Sequence, residues 1–150
     1  MNVHPLVRSA DIGDAMSIQS LYRQLVDDEK VNVSEQQLQE IGDDSRAQLF
    51  VCEVDDTVCG TVLVSLCLDV MYGQQPFAVV ENFVVDTACR GRGIGRTLFR
   101  EAENFCRTRN ASKIMLLSSI SRESAHRFFE GVGFRTDFKR GFVKYRSQFD

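Results

Sequence analysis

The stretch AVVENFVVDTACRGRGIGR, residues 78–96, holds the pattern from which the fold of this chain is most easily inferred. Its first part, residues 78–85, is apolar except for Glu81 and Asn82 and predicts a largely buried β-strand. Apolar residues recur at helical spacing from Ile94 onward. The glycine-rich segment RGRGIGR (90–96) therefore connects a strand to a helix.

The three glycines of this connection stand at every second position, 91, 93 and 95. Glycine loses more backbone freedom on folding than any other residue, and an ordinary turn between solvated arginines needs only one. The first turn of a helix offers unpaired backbone N–H groups and the positive end of the helix dipole. Flanking arginines add positive charge. We therefore favour a loop that binds an anion over a plain turn.

Two common nucleotide-binding loops are excluded by spacing. The phosphate loop of nucleotide hydrolases requires G-x-x-x-x-G-K-[ST], and the sequence contains no Gly-Lys pair. The dinucleotide fingerprint requires G-x-G-x-x-G. Counted from Gly91 the third glycine position is Arg96, and counted from Gly93 it is Leu98.

Periodicity along the rest of the chain predicts an alternation of strands and helices. Asp55-Asp56 is typical of a tight hairpin turn, and Ser34 followed by Gln37 resembles a helix capping box. Strands are predicted at 6–8, 49–54, 57–70, 78–85, 113–118, 134–138 and 142–145, and helices at 11–26, 34–41, from 94 and from 121 to 132. This order predicts an α/β (α+β) fold: a single mixed, mostly antiparallel sheet with helices on both faces, in one domain spanning residues 1–150.

Composition narrows the function classes. A net charge of −3 gives no electrostatic case for nucleic acid, and no apolar run approaches the roughly 20 residues that span a bilayer. The first eleven residues lack the basic and apolar regions of a signal peptide. Five cysteines without a CxxC pair are typical of reduced thiols in the cytoplasm. His4 and His126 lie far apart in sequence, so no metal site is expected.

The glycine segment resembles the acyl-CoA loop of the GNAT superfamily of N-acetyltransferases. In that family [RQ]-x-x-G-x-[GA] follows a strand, as Arg90-x-x-Gly93-x-Gly95 does here. FFEGVGF (128–134) is similar to a second family element, commonly FYEKxGF, and the order of elements agrees over most of residues 49–146. AHRFFEGVGF is also similar to the closing segment of small bacterial amine acetyltransferases, the aminoalkylphosphonate type among them.

The resemblance implies acetyl-CoA as the cofactor. Backbone N–H groups of residues 91–96 would hold its pyrophosphate, and residues 83–85 would pair through their backbone with the pantetheine arm. Arg122 lies where many members carry an asparagine that touches the cofactor. The implied cofactor-binding residues are Phe83, Val84, Val85, Arg90, Gly91, Arg92, Gly93, Ile94, Gly95, Arg96, Arg122 and Phe129.

Glu81 and Asn82 are the candidate catalytic residues. Glu81 is the only acid in the apolar run 77–85, where a carboxylate is either desolvated, with a raised pKa that suits a general base, or paired with a cation. A solvent-facing or ion-paired Glu81 with a structural or anchoring role is the alternative, and a β-bulge would re-aim the side chain. In the family an acid near this place often deprotonates the amine, and Asn82 is expected to hydrogen-bond substrate or water.

Phe129 departs from the family pattern. Many members carry a tyrosine there that protonates the leaving thiolate, and phenylalanine has no proton to donate. His126, Tyr145 and water are the alternative donors, although a thiol of pKa about 8.5 leaves tolerably without help. Polarisation of the thioester carbonyl is expected from the backbone N–H near Val85. The departure also leaves open a non-catalytic acyl-CoA-binding module.

The resemblance places the acceptor site between the first two helices and the loop at 71–77. Asp27, Asp28 and Glu29 would attract a cationic amine, and Tyr72 and Phe77 would wall the pocket; a solvated acidic helix end is the alternative. The expected function is transfer of an acetyl group to a primary amine of a small molecule, with a protein N-terminus as an alternative acceptor. No nucleic acid or membrane partner is expected, and the chain is expected to be a monomer or homodimer.

Overall fold

A five-stranded mixed sheet forms the centre of the fold in the computed structural model, which describes residues 4–150. Residues 1–3, part of the N-terminal stretch considered above, lie outside the described residues. The strands are β1 (Leu6–Ser9), β2 (Ala47–Val54), β3 (Thr57–Cys67), β4 (Phe77–Val85) and β5 (Ile114–Met115), and they lie side by side in chain order. The first three pairings are antiparallel and β4 pairs with β5 in parallel. The predicted fold class is confirmed.

Four α-helices accompany the sheet: α1 (Ala15–Leu25), α2 (Glu35–Asp43), α3 (Ile94–Thr108) and α4 (Glu123–Gly131). α1 and α2 cover one face, where Ile18 and Leu38 join Leu49 and Val51 of β2 in the core. The neighbouring residue on β2, Phe50, packs its ring edge-to-face at 6.4 Å against Phe105 of α3. Because successive side chains of a strand point to opposite faces, α3 covers the other face.

Local signals in the sequence correctly located two boundaries. Asp55 and Asp56 join β2 to β3 with φ values of 49° and 60°, the left-handed conformation that a two-residue hairpin turn requires. Ser34 precedes α2, and its Oγ accepts a hydrogen bond from the Gln37 N–H at 3.2 Å. Both elements begin where short-range chemistry favours them.

The predicted hairpin over residues 134–145 is wrong, since no strand forms there. Most of its apolar side chains remain open to solvent, and Phe142 is 87% exposed and Phe138 63% exposed. A two-stranded hairpin that buries no apolar face is at best marginally stable. The last regular element is instead a short 3₁₀ helix, Arg146–Gln148.

The predicted strands β3 and β5 are longer than the observed ones. β3 ends at Cys67, and Leu68 and Val70 beyond it are 77% and 92% exposed. β5 has only two residues, because it pairs with β4 only at Ala78 and Val79. At both places the apolar residues continue beyond the point where strand pairing ends.

The described residues form two compact units, divided between Leu116 and Leu117. The first contains the sheet and helices α1 to α3, and the second contains α4. The prediction of a single domain stays a prediction. Of the helices in residues 4–150, none has the length and apolar character needed to cross a membrane.

Candidate active site

A β-bulge in β4 shapes the centre of the candidate site. Thr61 pairs with Val84 and Leu63 pairs with Glu81. Between these two pairs β4 therefore contains one residue more than β3. The additional residue is accommodated at Asn82, whose φ of 53° lies in the left-handed region. Asparagine tolerates this conformation better than most residues. The β-bulge that the sequence analysis considered as a way to re-aim Glu81 is present.

The bulge changes which side chains face each helix layer. Glu81 lies opposite Leu63, which packs against the core beneath α1 and α2. After the bulge, Phe83 turns to the opposite face and packs its ring at 5.0 Å against Phe99 of α3. One inserted residue thus leaves Glu81 and Asn82 together on the side of α1 and α2.

Glu81 is exposed, so the burial expected for a carboxylate in an apolar strand is not found. Within residues 4–150 its side chain forms no ion pair, so the cation-paired alternative is not found either. The solvent-facing alternative is the one observed, an unpaired and water-accessible carboxylate beside the bulge, and the role of Glu81 as a general base stays a prediction.

Asn82 contacts α1 through Tyr22. Burial raises the pKa of the Tyr22 phenol above its usual value, and a hydrogen bond with the Asn82 side chain partly offsets that rise. Sequence reasoning missed Tyr22 as a site residue, since it is only one of the residues that recur at helical spacing in the helix predicted at 11–26. Its only sequence signal was a polar tip on an otherwise apolar stripe.

A cavity of about 600 Å³ opens between α1, α2 and the sheet, with Tyr22 and Asn82 in its lining. The chain between the two helices contributes residues 31–34, as the expected acceptor site required. The Val33 N–H donates to Gln19 Oε1 at 3.0 Å and so ties this segment to α1.

The cavity differs from the expected acceptor pocket in its charges and walls. Asp27, Asp28 and Glu29 are exposed and do not line it, and Tyr72 and Phe77 do not line it either. Asp28 instead accepts a hydrogen bond from the Lys30 N–H at 2.9 Å. Residues 27–29 therefore lie outside this cavity and fit the alternative, a solvated acidic helix end.

The glycine loop ends at an uncapped helix N-terminus. Gly91 and Gly93 have φ values of 79° and 75°, and Gly93 is the N-cap of α3. No side chain caps this terminus, and the first bond of the helix runs from the Thr97 N–H to the Gly93 carbonyl at 3.1 Å. The N–H groups of residues 94–96 therefore precede the helical ladder. Gly95 lies inside the helix and has no positive φ, so backbone conformation does not account for a glycine at this position.

The arginines of the loop provide positive charge at this terminus. Arg90, Arg92 and Arg96 are all exposed, and in the described part of the chain none forms an ion pair. The buried Ile94 side chain, 2% exposed, anchors the helix start in the core. Exposed donors on an anchored backbone suit an anionic ligand.

One edge of β4 is open beside this loop. β5 pairs with β4 only at Ala78 and Val79, and in residues 4–150 no other strand pairs with this edge as far as Val85. The backbone of residues 83–85 is therefore available along that edge to an extended ligand that carries amides.

Two of the predicted cofactor-binding residues belong to the second unit. Arg122 is the N-cap of α4. Phe129 is 7% exposed and packs against Phe128 at 5.7 Å and Phe134 at 6.1 Å. His126 Nε2 donates a 2.8 Å hydrogen bond to the Ser119 carbonyl. The packing of Phe129 is that of a core residue, and the cofactor roles of Arg122 and Phe129 stay predictions.

Metal ligands do not gather anywhere in residues 4–150, since no three His, Cys, Asp or Glu side chains there are placed to hold an ion. The chemistry available at β4 is that of a carboxylate, an amide, a phenol and backbone N–H groups.

Comparison with known proteins identifies related sequences and folds. A family model described as "Acetyltransferase (GNAT) family" matches residues 18–134. No curated protein sequence matches the chain significantly. Among solved structures, "Putative acetyltransferase from Agrobacterium tumefaciens str. C58" aligns with a TM-score of 0.83 and 26% identity, over 94% of this chain and 99% of that one.

Two further solved structures share the fold at lower identity. Glucosamine-6-phosphate N-acetyltransferase from Arabidopsis thaliana has a TM-score of 0.81 at 20% identity, over 95% of this chain and 99% of its own. An aminoglycoside N-acetyltransferase in complex with CoA has a TM-score of 0.81 at 17% identity, over 97% of each chain.

Proposed function

Because the chain belongs to the GNAT acetyltransferase family, we propose that it transfers the acetyl group of acetyl-CoA to a primary amine of a small molecule, by direct attack in a ternary complex. The chain is an acyltransferase by family, and the proposal concerns the donor and the acceptor. One observation carries it: the bulge at Asn82 leaves Glu81 and Asn82 on the cavity side of β4, in the strand that leads into the glycine loop.

The N-terminus of α3 fits the diphosphate of a coenzyme A thioester. Gly91 and Gly93 present backbone without a Cβ, no side chain caps the helix, and three exposed arginines surround it. We assign the backbone of residues 91–96 to the diphosphate and the open edge at residues 83–85 to the pantetheine amides. When bound, acetyl-CoA supplies an activated acetyl thioester.

The acceptor amine is a nucleophile only after it has lost a proton. The Glu81 carboxylate, exposed and without an ion pair in the described part of the chain, accepts that proton directly or through a water molecule. Asn82 hydrogen-bonds the amine or that water. The Val85 N–H donates to the thioester carbonyl oxygen as negative charge develops there.

The leaving thiolate needs no dedicated acid. A thiol of pKa about 8.5 is a tolerable leaving group, and Phe129 has no proton to donate. Protonation by water is therefore sufficient in this proposal, and Arg122 is assigned to a phosphate of the cofactor. Holding both substrates side by side contributes much of the rate.

The proposed setting is the cytoplasm, as a monomer or homodimer without a nucleic-acid partner. All five cysteines are free thiols, which reducing compartments maintain. The net charge of −3 does not favour a polyanion.

Acetyl-CoA binding and amine-dependent thiol release test the proposal together. Calorimetry should detect binding of acetyl-CoA, and Arg96→Ala should weaken it by about tenfold, the effect of losing roughly 1.4 kcal/mol of charge interaction. Arg100→Ala is the matched control, because Arg100 is exposed on the same helix but lies outside the loop. Absence of binding would overturn the proposal. Binding without turnover of any amine would support the non-catalytic alternative.

A further inference from the structure

The cavity beside the bulge contains no charged side chain. Nine of its fourteen lining residues are aliphatic, one is Tyr22, and the remaining four carry neutral polar groups. Its deep wall includes Ile18, Leu38 and Leu49, which are 0%, 6% and 4% exposed. An occupant of this cavity therefore contacts mainly hydrocarbon.

The polar groups are confined to two places. Asn32, Ser34 and Gln37 are exposed and form part of the rim, and the Ser34 hydroxyl already accepts the Gln37 N–H. Tyr22 and Asn82 lie at the other place, beside the bulge. Tyr22 and Asn82 are therefore the polar lining groups nearest to Glu81, where the amine would react.

We propose that the acceptor is a primary amine whose body is uncharged and apolar, a branched aliphatic or aromatic chain that fills the space between α1, α2 and the sheet. This inference rests on the proposed function, and it specifies the substrate class. The amine lies at Asn82, and the apolar body extends towards Leu38 and Leu49.

Desolvation is the physical reason for this choice. A second charge on the acceptor, such as a phosphate, a phosphonate or another ammonium, would lose its hydration on entering the cavity. The lining offers no opposite charge to compensate for that loss. Several hydroxyl groups would also lose water without enough partners. Each apolar group that enters gains from leaving water.

A kinetic series measures this directly. With saturating acetyl-CoA, kcat/KM should rise about two- to fourfold for each methylene added from propylamine to hexylamine, since each buried methylene favours transfer from water. Isoamylamine and 2-phenylethylamine should exceed 2-aminoethylphosphonate, spermidine and glucosamine 6-phosphate by at least about tenfold. A flat series, or a preference for the charged amines, would overturn the inference while confirming the proposed function.

A paired substitution tests the location. Val31 lines the cavity and is half-buried, so Val31→Asp places a carboxylate in its wall. Val31→Asp should lower kcat/KM for hexylamine at least about fivefold and improve the relative use of 1,4-diaminobutane. Val70→Asp is the matched control, because Val70 is 92% exposed and outside the cavity. Equal effects of the two substitutions would overturn the assignment.

A binding measurement separates the two proposals. Calorimetric titration of 2-phenylethylamine into the protein with coenzyme A present should show binding that Val31→Asp weakens. Binding without any turnover would contradict the proposed function and retain the inference about the cavity. Turnover of other amines without binding of 2-phenylethylamine would do the reverse.

Discussion

At the residue scale, the site depends on two neighbouring side chains that a single backbone irregularity brings together. Asn82 has a φ of 53°, and its side chain partly offsets the rise that burial causes in the pKa of Tyr22. Glu81 carries the only carboxylate of β4. Their identities were evident in the sequence as polar residues in an apolar run, but their common orientation follows from the bulge.

Glu81→Gln should lower kcat/KM by about 10²- to 10⁴-fold, the usual range for loss of a general base. The amide keeps the size of the side chain and cannot accept the proton. The pH–rate profile should fall throughout, because an amide cannot accept the proton of the amine at any pH. Glu123→Gln, on an exposed residue of α4, is the control and should leave the profile intact. An unchanged profile in Glu81→Gln would remove Glu81 from the mechanism.

The backbone and side-chain roles of Asn82 are separable by two substitutions. Asn82→Gly keeps the left-handed conformation available and removes the side chain, whereas Asn82→Ala also opposes that conformation. Asn82→Ala should therefore be less stable than Asn82→Gly by about 1 kcal/mol in urea unfolding. Equal stabilities would show that the positive φ is unimportant, and equal activities are expected if the side chain alone matters for catalysis.

At the element scale, an ion cluster around Arg8 joins the first strand to its neighbours. Arg8 of β1 makes two hydrogen bonds to the Asp14 carboxylate, at 2.8 and 2.9 Å, and also contacts Glu53 of β2. Asp14 also accepts the Asp11 N–H at 2.8 Å. Strand β1 is thereby attached both to β2 and to the entry of α1.

Gly93→Ala should weaken acetyl-CoA binding and reduce stability. A Cβ at this position meets no neighbour within 4 Å, so the cost is conformational: φ is 75°, and alanine loses about 1–2 kcal/mol there. Gly42→Ala is the matched control, because Gly42 lies in α2 with no positive φ and no atom within 4 Å of the added Cβ. It should stabilise by up to about 1 kcal/mol and leave the Kd for acetyl-CoA unchanged.

Asp14→Asn should destabilise the protein by about 2 kcal/mol at pH 7, since it leaves the partly buried Arg8 guanidinium without its bidentate partner. The Arg8 guanidinium lowers the pKa of Asp14, so this stabilisation is present above the carboxyl's ordinary pKa and is lost as pH falls. The variant should therefore lose less stability than the parent between about pH 5 and pH 3.

Urea unfolding across that pH range measures the difference. Asp137→Asn is the control, because Asp137 pairs with Arg135 at 65–66% side-chain exposure. Solvent screens such a pair, and no measurable change at pH 7 is expected. Equal acid sensitivity of the parent and Asp14→Asn would contradict the role of this cluster.

At the scale of the whole molecule, burial sets the behaviour of the cysteines. Cys52, Cys59 and Cys106 are 0%, 2% and 3% exposed. Burial raises the pKa of the Cys52 and Cys106 thiols to about 11 each. It also raises that of Cys59 to about 12, with a smaller contribution from the hydrogen bond with Cys89. These groups stay protonated in the folded core well above neutral pH.

Stability should therefore fall as pH rises from about 9 to 11. The unfolded chain releases these thiol protons near pH 9, whereas the folded chain retains them. Because the unfolded state then binds fewer protons, its free energy falls relative to that of the folded state as pH rises. The loss should be roughly 1 kcal/mol per buried thiol by pH 10. Urea unfolding with reductant at pH 8 and pH 10 measures it. Cys106→Ala should reduce the slope, and Cys67→Ala, at a less buried position, should not.

By itself the sequence determined the local chemistry. It located the Asp55-Asp56 turn, the Ser34 cap, the strand before the glycine loop and the helix after it, because short-range geometry and periodicity decide such features. It also singled out Glu81 and Asn82 as polar residues within an apolar run. These features depend on residues within one or two turns of one another.

Only the tertiary structure decided which of these features meet and which stay apart. The register slip at Asn82 leaves Glu81 and Asn82 on the same side of β4, and Asn82 lines the cavity. The rest of the lining comes from α1, α2, the segment between them, β2 and β3. The apolar residues in the segment 134–145 form no strand, and the acidic residues 27–29 lie outside the cavity. A local pattern indicates which residues tend to be buried, but the neighbours that they meet are brought together only on folding, so the lining of a cavity is not readable from it.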